Sequence, residues 1–414
     1  MRKTLRSILL TVTIVAGICL IQACKGPKEA AAPFTFEAHP SPYNLSGAQF
    51  PRIEADSRVT FRFNAPNAKK VQVSIYNVPY DMVKDTSGVW TYTTSEPQDA
   101  GYHNYWMIVD SAIMLDPATD AFIGYSHMCN GFEVPDRDGG FYELKDVPHG
   151  NVLIKNYFSN ITNGWRQVYI YTPPDYEKNT AAKYPVLYLQ HGGGEDQRVW
   201  IEMGLTNLIL DNLIAEGRAK PFIVVMETSA AYKPGEVPPA MRQGAPGVAR
   251  TRTPGAQPVP AAAAPAAQPG QAAPPRPRFS FNTYEEVMIN ELIPWVDSNF
   301  RTLSDQQYRA MAGLSMGSGV TRQITLANPD KFAYIGIFSG GSVAPADIPE
   351  NSNFKLVFMS FGSRENGADG LKDAADALNK AGINSVSYVS PLTAHEWQSW
   401  RRSLYEFAML LFKD

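Results

Sequence analysis

The chain has 414 residues, of which 44% are hydrophobic and 19% are charged, and its formal net charge is −3. This is the composition of a folded globular protein with room for two domains. It excludes a disordered chain and gives no basic balance for binding nucleic acid. The three cysteines are too few for a disulfide framework.

The N-terminal segment has the pattern of an export signal. Basic residues precede an apolar run from Ile8 to Ile21, which is too short for a comfortable membrane span. The run leads through a small residue to Cys24, and this arrangement resembles the lipobox of bacterial lipoproteins. The resemblance implies that residues 1–23 are removed and that Cys24 carries lipid at the outer membrane, on its periplasmic or cell-surface face, with residues 24–35 as a polar tether. An ordinary signal peptide with an incidental cysteine is the alternative.

Residues 36–135 alternate apolar and polar side chains between turn signals. The alternation is clear from Val59 to Phe63 and again from Val71 to Ile75. A period of two indicates short antiparallel strands, and a region of this length built from them is typical of a small all-β sandwich.

The sequence of this region resembles that of the early-set immunoglobulin-like modules found beside carbohydrate-active enzymes. The matching stretches include Val59 to Ala68 and Tyr102 to Trp106. Such a module either binds glycan or only packs on its neighbour. Packing is favoured, because Trp90 and Trp106 stand in strand patterns, where burial is the commoner fate of tryptophan.

Residues 136–150 are predicted to be a connector, and from 151 to 414 apolar strands alternate with helical patterns. This order predicts an α/β fold with a doubly wound parallel sheet covered on both faces. The predicted strands are 166–172, 185–190, 222–226, 308–314, 334–338, 355–361 and 385–390, and the predicted helices are 205–216, 284–298, 321–327, 371–381 and 396–411. Residues 234–278 are rich in Pro, Ala and Gly, and we expect a disordered insertion there.

Ser315 lies in the sequence Gly313-Leu314-Ser315-Met316-Gly317, which fits the pattern G-x-S-x-G. The pattern alone is weak, but here it follows a predicted strand and precedes a predicted helix, as a nucleophile elbow does. The glycines suit a crowded turn that lifts the serine hydroxyl above the sheet. Ser315 is therefore the candidate nucleophile, and a glycine-rich turn without chemistry is the alternative.

The sequence His191-Gly192-Gly193-Gly194 follows another apolar predicted strand. A glycine loop lets backbone N–H groups approach a developing oxyanion, which each donor stabilises by about 3 to 4 kcal/mol in a measured case. We expect the N–H groups of Gly193 and Met316 to form such an oxyanion hole. A dinucleotide-binding or phosphate loop is the alternative, but the sequence has neither G-x-G-x-x-G nor a phosphate-loop lysine.

A serine nucleophile needs a base and an orienting carboxylate, which in this architecture follow in the order Ser, acid, His. His395 lies well after Ser315, between a predicted strand and the last predicted helix. Glu365 follows the predicted strand that ends at Phe361, where the acid belongs, and Asp369 is the second choice. A structural histidine and a solvated surface glutamate are the alternatives.

The sequence predicts no metal or cofactor. It contains no H-E-x-x-H, no paired cysteines and no acidic cluster with ligand spacing. Cys129 is expected to be a small buried apolar residue. Trp397, next to His395, is a candidate for the wall of an acyl pocket, although both Trp397 and Trp400 are also suited to core packing.

Residues 151–414 resemble the esterase D-type α/β-hydrolases, specifically carbohydrate esterase family one. The matching stretches are Val186 to Gly194, Ile293 to Asp297, Arg309 to Gly317 and His395 to Arg401. The resemblance implies an α/β-hydrolase fold with Ser315 as nucleophile, His395 as base and Glu365 as acid, working without a cofactor.

Three departures from the family pattern stand out. The residues before the catalytic histidine are usually glycines, and here they are Thr393 and Ala394. A further glycine usually ends the elbow, and here it is Ser318. The acid is more often aspartate, so Glu365 needs a longer reach.

The family includes feruloyl esterases and acetyl xylan esterases. Together with the export signal and the β module, the resemblance implies release of ferulate from plant-cell-wall xylan. The expected partners are feruloylated or acetylated polysaccharide and a membrane reached through the lipid anchor, without nucleic acid. The alternatives are an acetyl xylan esterase, an enterochelin-type siderophore esterase and a non-catalytic glycan-binding lipoprotein. The siderophore alternative conflicts with the export signal, because such enzymes usually have a cytoplasmic address.

Overall fold

The computed structural model of the protein describes residues 36–236, 238 and 281–413. The predicted signal, Cys24, the tether and most of the predicted insertion at 234–278 lie outside these residues. Within them, no helix combines the length and the apolar character needed to span a bilayer. The stretch from Phe36 onward forms one compact unit.

Residues 39–134 form two antiparallel sheets. Their strands are β1 (His39–Pro40), β2 (Arg52–Ile53), β3 (Val59–Asn64), β4 (Val71–Ile75), β5 (Val78–Asp81), β6 (Val83–Lys84), β7 (Val89–Thr93), β8 (Gly101–Val109), β9 (Ala112–Met114), β10 (Ala121–Gly124) and β11 (His127–Val134). One sheet has the order β1-β2-β3-β7-β6, and the other has the order β10-β11-β8-β4-β5 with β9 paired to β8. The predicted antiparallel strands are therefore confirmed.

Alternate side chains of both sheets meet in one hydrophobic cluster. Phe61 contributes from the first sheet, and Val73 and Met107 contribute from the second. Trp90 and Trp106 are buried, as the strand pattern predicts, and so is Cys129. Burial of these apolar side chains is the main force that holds the two sheets together.

The described residues from 151 onward form eight strands and seven α-helices. The strands are β12 (Asn151–Ser159), β13 (Gly164–Thr172), β14 (Val186–Gln190), β15 (Ile223–Glu227), β16 (Arg309–Leu314), β17 (Tyr334–Phe338), β18 (Leu356–Gly362) and β19 (Ser385–Ser390). The helices are α1 (Val199–Glu202), α2 (Thr206–Ala215), α3 (Asn282–Val287), α4 (Ile293–Asn299), α5 (Met316–Ala327), α6 (Leu371–Lys380) and α7 (Trp397–Ala408), and a π-helical segment (Met288–Leu292) joins α3 to α4.

These strands form one sheet with the order β12-β13-β15-β14-β16-β17-β18-β19. The strands from β14 to β19 pair in parallel, whereas β12 and β13 form an antiparallel hairpin at one edge. The strand β12 was not predicted from the sequence. The helix α5 begins at Met316, directly after Ser315, and not at Thr321 as predicted.

Helices cover the sheet on both faces, as a doubly wound fold requires. One hydrophobic cluster joins the sheet to α1, α2 and α7, and it includes Leu187 and Leu189 of β14. Val186 and Tyr188 alternate with them along β14 and belong to the cluster on the opposite face, with α4 and α5. The near-continuous apolar strands of the sequence are explained by this burial on two sides.

A buried ion pair joins the β region to α7. Arg401 is only 1% exposed, and its guanidinium Nη1 and Nη2 lie 2.7 Å and 3.2 Å from the two carboxylate oxygens of Glu133 on β11. The Arg401 Nε–H group donates to the Met203 carbonyl oxygen at 2.7 Å. Because a two-pronged arginine–carboxylate contact has fixed geometry, this pair sets how α7 meets β11.

Candidate active site

Ser315 stands in a strained turn between β16 and α5. Its φ is 51°, in a region that residues other than glycine seldom adopt. The Ser315 N–H group donates to the Phe338 carbonyl oxygen at 2.8 Å, which closes the turn on β17. A β-carbon on Gly313 would lie 2.4 Å from the Gly317 oxygen, and one on Gly317 would lie 2.4 Å from the His191 oxygen. Both glycines of the motif are therefore sterically required.

Ser318 occupies the elbow position at which the resembling family usually has glycine. Its side chain is fully buried, and its Oγ lies 2.8 Å from the Gly313 carbonyl oxygen and 2.7 Å from that of Phe338. A β-carbon on Gly340 would fall 2.0 Å from the β-carbon of Ser318. The absence of a side chain at Gly340 thus leaves space for Ser318. Through its two hydrogen bonds, Ser318 links β16 to β17 behind the nucleophile.

The structure brings Ser315, His395 and Glu365 into one hydrogen-bonded chain. His395 Nε2 lies 2.9 Å from Ser315 Oγ, and His395 Nδ1 lies 2.7 Å from Glu365 Oε2. All three residues follow strands at the carboxyl edge of the sheet, namely β16, β18 and β19. The His395 side chain is 45% exposed, whereas that of Glu365 is 10% exposed. A base that faces solvent and is oriented from behind by a buried acid is the arrangement that serine activation needs.

Glu365 is held through its second carboxylate oxygen. Oε1 accepts a hydrogen bond from Ser339 Oγ at 2.7 Å and another from the Gly362 N–H group at 2.8 Å. Ser339 Oγ in turn accepts a hydrogen bond from Trp400 Nε1 at 3.1 Å. The longer side chain of glutamate therefore reaches His395 without losing its orientation.

The second candidate acid, Asp369, is not brought to the histidine. It follows the 3-10 turn Asn366–Ala368, while His395 Nδ1 already has Glu365 as its partner.

The loop before His395 has Thr393 and Ala394 where the resembling family usually has glycines, and hydrogen bonds hold its conformation. Ser399 Oγ donates to Thr393 Oγ1 at 2.6 Å, and the Ala394 N–H group donates to Glu396 Oε1 at 2.8 Å.

Gly193 and Met316 lie beside each other where the oxyanion hole is expected. A β-carbon built on Gly193 would be 3.8 Å from the β-carbon of Met316. The flanking backbone groups already have partners, because the Gly192 N–H group donates to Glu195 Oε2 at 2.8 Å and the Gly194 oxygen accepts from Ser126 at 3.0 Å. Within the described ranges, no acceptor is bonded to the N–H groups of Gly193 and Met316. Both donors are therefore available to a substrate oxygen.

A pocket opens beside Ser315 and His395. Its wall on the α/β side includes Leu314, Trp397 and Trp400 together with two carboxyl groups, and the other side comes from the β region. The complete lining is Tyr76, Asn104, Tyr125, Gly192, Gly193, Glu195, Leu314, Ser315, His395, Glu396, Trp397 and Trp400. Trp397 was proposed from sequence, whereas the β-region residues were missed, since no local signal connects positions so far apart in the chain.

The two pocket carboxyl groups have perturbed acidity. Burial raises the pKa of Glu195 to about 8 and the pKa of Glu396 to about 6. At neutral pH the Glu195 carboxyl is thus mostly protonated and is able to donate a hydrogen bond. In the part of the chain that is described, no three His, Cys, Asp or Glu side chains come together as a metal site would require.

Part of the chain is similar to a known protein family. Residues 159–245 and 266–355 match the family described as "Esterase: Putative esterase". The matched segments contain Gly193, Ser315 and Met316 and end before Glu365 and His395.

Two curated relatives are similar in sequence. The chain is 37% identical over 383 residues to an endo-1,4-beta-xylanase/feruloyl esterase of Xylanibacter ruminicola, covering 90% of this chain and 47% of that protein. It is 36% identical over 87 residues to endo-1,4-beta-xylanase Y of Acetivibrio thermocellus, covering 20% of this chain and 8% of that protein. The chain thus spans less than half the length of these relatives.

One solved structure extends the comparison to the fold. The crystal structure of the enterobactin esterase from Shigella flexneri in the presence of 2,3-di-hydroxy-N-benzoyl-glycine superposes with a TM-score of 0.57 at 15% identity, covering 86% of this chain and 93% of that one. At this identity the likeness shows the fold alone. Part of the chain is therefore similar to the esterase family, and the chain shares the fold of the enterobactin esterase.

Proposed function

We propose that the protein is a serine carboxylic ester hydrolase that releases a hydroxycinnamate, such as ferulate, from esterified plant-cell-wall polysaccharide. The observation that carries the proposal is the continuous hydrogen-bonded chain Ser315–His395–Glu365 beside two available backbone donors. Neither a purely structural glycine-rich turn nor a solvated surface histidine requires this hydrogen-bonded chain together with two available backbone donors.

The proposed mechanism gives each residue a role that its position supports. His395 Nε2 takes the Ser315 proton as Oγ attacks the ester carbonyl, and Glu365 stabilises the imidazolium that forms. The N–H groups of Gly193 and Met316 stabilise the oxyanion. His395 then gives its proton to the departing alcohol, and water releases the acid from Ser315 by the same steps in reverse.

The substrate class rests on the pocket and on the relatives. The Xylanibacter ruminicola protein combines xylanase and feruloyl esterase in its description. The pocket here is lined by two tyrosines, two tryptophans and Leu314, with the Glu195 carboxyl as a hydrogen-bonding group. Aromatic walls with a few hydrogen-bonding groups suit a hydroxylated aromatic acyl group, whereas an acetyl group would contact little of this surface.

Hydrolysis of two esters tests the proposal. The purified protein should hydrolyse methyl ferulate, and Ser315→Ala should lower kcat by at least about 10⁴-fold. Activity retained in Ser315→Ala would show that the assignment is wrong. Turnover of 4-nitrophenyl acetate alone would instead indicate a deacetylase, and glycan binding without turnover of either ester would indicate a non-catalytic binding protein.

The organisation of the remaining chain is also a proposal. We infer that residues 36–135 form an early-set immunoglobulin-like sandwich and that residues 136–150 connect it to the hydrolase at 151–414. We further infer that residues 1–23 are an export signal and that lipid on Cys24 holds the enzyme at the outer membrane, near its polysaccharide. Labelled palmitate should be incorporated into the wild-type chain and lost in Cys24→Ala, and equal labelling of both would contradict the anchor.

A further inference from the structure

Two hairpin turns of the β region carry tyrosine where that residue is unfavourable. Tyr76–Asn77 joins β4 to β5, and Tyr125–Ser126 joins β10 to β11. Their φ angles are 48° and 67° in the first turn and 54° and 65° in the second. Two-residue turns with positive φ at both positions favour Asn, Asp and Gly, so tyrosine there adds strain. Because an unfavourable tyrosine occurs at the same position of two turns, we expect the tyrosine side chains to have a functional role.

Both turns meet at the pocket beside Ser315. Tyr76 and Tyr125 each line it, together with Asn104 of β8. The Tyr125 hydroxyl group interacts with the Asn104 side chain, and Tyr125 remains 40% exposed. These three residues therefore close the side of the pocket that the α/β region leaves open.

The α/β region fixes each turn from a different direction. The Ser126 N–H group donates to the Gly194 oxygen at 3.0 Å, and a β-carbon on Gly194 would lie 2.5 Å from the Ser126 nitrogen. This contact seats the second turn on the loop that carries Gly193. The Tyr76 hydroxyl donates to the Tyr102 oxygen at 3.0 Å and accepts from Gln398 Nε2 of α7 at 3.3 Å.

The chemistry of this wall suits a flat phenolic group. Both tyrosines are neutral phenols at physiological pH, because the ordinary pKa of tyrosine is about 10. Burial raises the pKa of Tyr76 further. Each presents an aromatic ring, and Trp400 and Leu314 stand on the α/β side of the same pocket. A planar acyl group between these walls gains aromatic contact area that a two-carbon acyl group cannot use.

We propose that Tyr76 and Tyr125 form the acyl-selecting wall of the active site and that the β region thereby sets the preference for hydroxycinnamoyl over acetyl esters. The inference rests on the proposed esterase function of Ser315. It assigns the β region a part in substrate recognition, beyond packing and separate from glycan binding. The tyrosines act on the acyl group of the substrate and take no part in proton transfer.

The test compares two esters on the full protein. Tyr125→Ala should lower the ratio of kcat/KM for methyl ferulate to kcat/KM for 4-nitrophenyl acetate about tenfold. Free ferulate should also inhibit 4-nitrophenyl acetate hydrolysis about tenfold more weakly. Tyr76→Phe, which keeps the ring, should retain the wild-type preference between the two esters.

Tyr92→Ala is the matched control, because Tyr92 stacks on Tyr80 at 5.2 Å within the same β region and does not line the pocket. It should leave the ratio of the two activities unchanged. If Tyr125→Ala lowers both activities equally, or neither, the wall is wrong and the proposed function stands. If the wild type hydrolyses neither ester, or Ser315→Ala remains active, the proposed function fails and the wall fails with it.

Discussion

Glu365 shows how one side-chain carboxylate both orients a base and is itself oriented. One oxygen contacts His395, while the other accepts hydrogen bonds from Ser339 and Gly362. The sequence predicts Glu365 from its place after an apolar strand. The supporting role of Ser339 could not be predicted, because the contact depends on a turn with a φ of 53° at the end of another strand.

Glu365→Gln should keep the geometry and lose the charge that stabilises the imidazolium. We expect kcat to fall about 10³- to 10⁴-fold with a much smaller change in KM. Steady-state kinetics on methyl ferulate measure this. Asp369→Asn is the control and should behave as wild type, and a reversal of the two results would make Asp369 the acid.

Glu195 should make stability depend on pH. Its pKa is about 8 when folded, against an ordinary value of 4.5, so the folded protein binds more protons between these values. The free energy of unfolding therefore falls as pH rises through this window, by up to about 1.4 kcal/mol per pH unit. Urea denaturation across that range should show a flatter dependence for Glu195→Gln. The exposed control Glu350→Gln should keep the wild-type slope, and parallel curves for all three proteins would contradict the raised pKa of Glu195.

At the scale of elements, the turn from β16 into α5 is the part of the site that the sequence predicts best. The glycines of the motif indicate a crowded turn, and in the structure a β-carbon at either glycine would clash with a backbone oxygen. The first turn of α5 was not predicted, because its glycine and serine residues have low helix propensity and tertiary packing overrides that preference. The strand β12 was missed for a similar reason, since its exposed edge position leaves no continuous apolar run.

Two glycines of α5 should respond differently to the same substitution. Gly317→Ala should abolish soluble expression or activity, because the new β-carbon would lie 2.4 Å from a backbone oxygen. Gly319→Ala, whose nearest atom is 3.9 Å away, should raise the free energy of unfolding by about 0.5 to 1 kcal/mol. Thermal melting and ester hydrolysis measure both effects. Equal tolerance of the two changes would argue against a tight elbow.

At the scale of the whole molecule, the two regions are joined through buried charge. The strands of the β region and the alternation of strands and helices in the α/β region could be predicted from periodicity, since that signal is local. Their junction could not, because Arg401 and Glu133 are 268 positions apart and nothing in either neighbourhood indicates the other. The pocket wall was unpredictable for the same reason.

Removing one charge of this pair should destabilise the entire protein. Glu133→Gln leaves the Arg401 guanidinium buried without its carboxylate, which should cost about 3 to 5 kcal/mol in a single unfolding transition. The exposed pair Lys372–Asp376 on α6 provides the control, and Lys372→Ala should change the free energy of unfolding far less, because solvent screens an exposed pair. Chemical denaturation followed by fluorescence measures both. A biphasic curve with an unchanged second phase would mean that the regions unfold independently.

The Arg401–Glu133 pair also bears on how such a chain is inherited. Recombination at the connector would deliver a foreign β region to α7, and Arg401 would then be buried without an acidic partner. It would also bring different turns to the pocket of Ser315. Domain shuffling at this boundary is thus penalised twice, once in folding and once in catalysis, so the two regions should descend together as a single evolutionary unit. The alignment with the Xylanibacter ruminicola protein, which covers 90% of this chain and therefore both regions, agrees with that expectation.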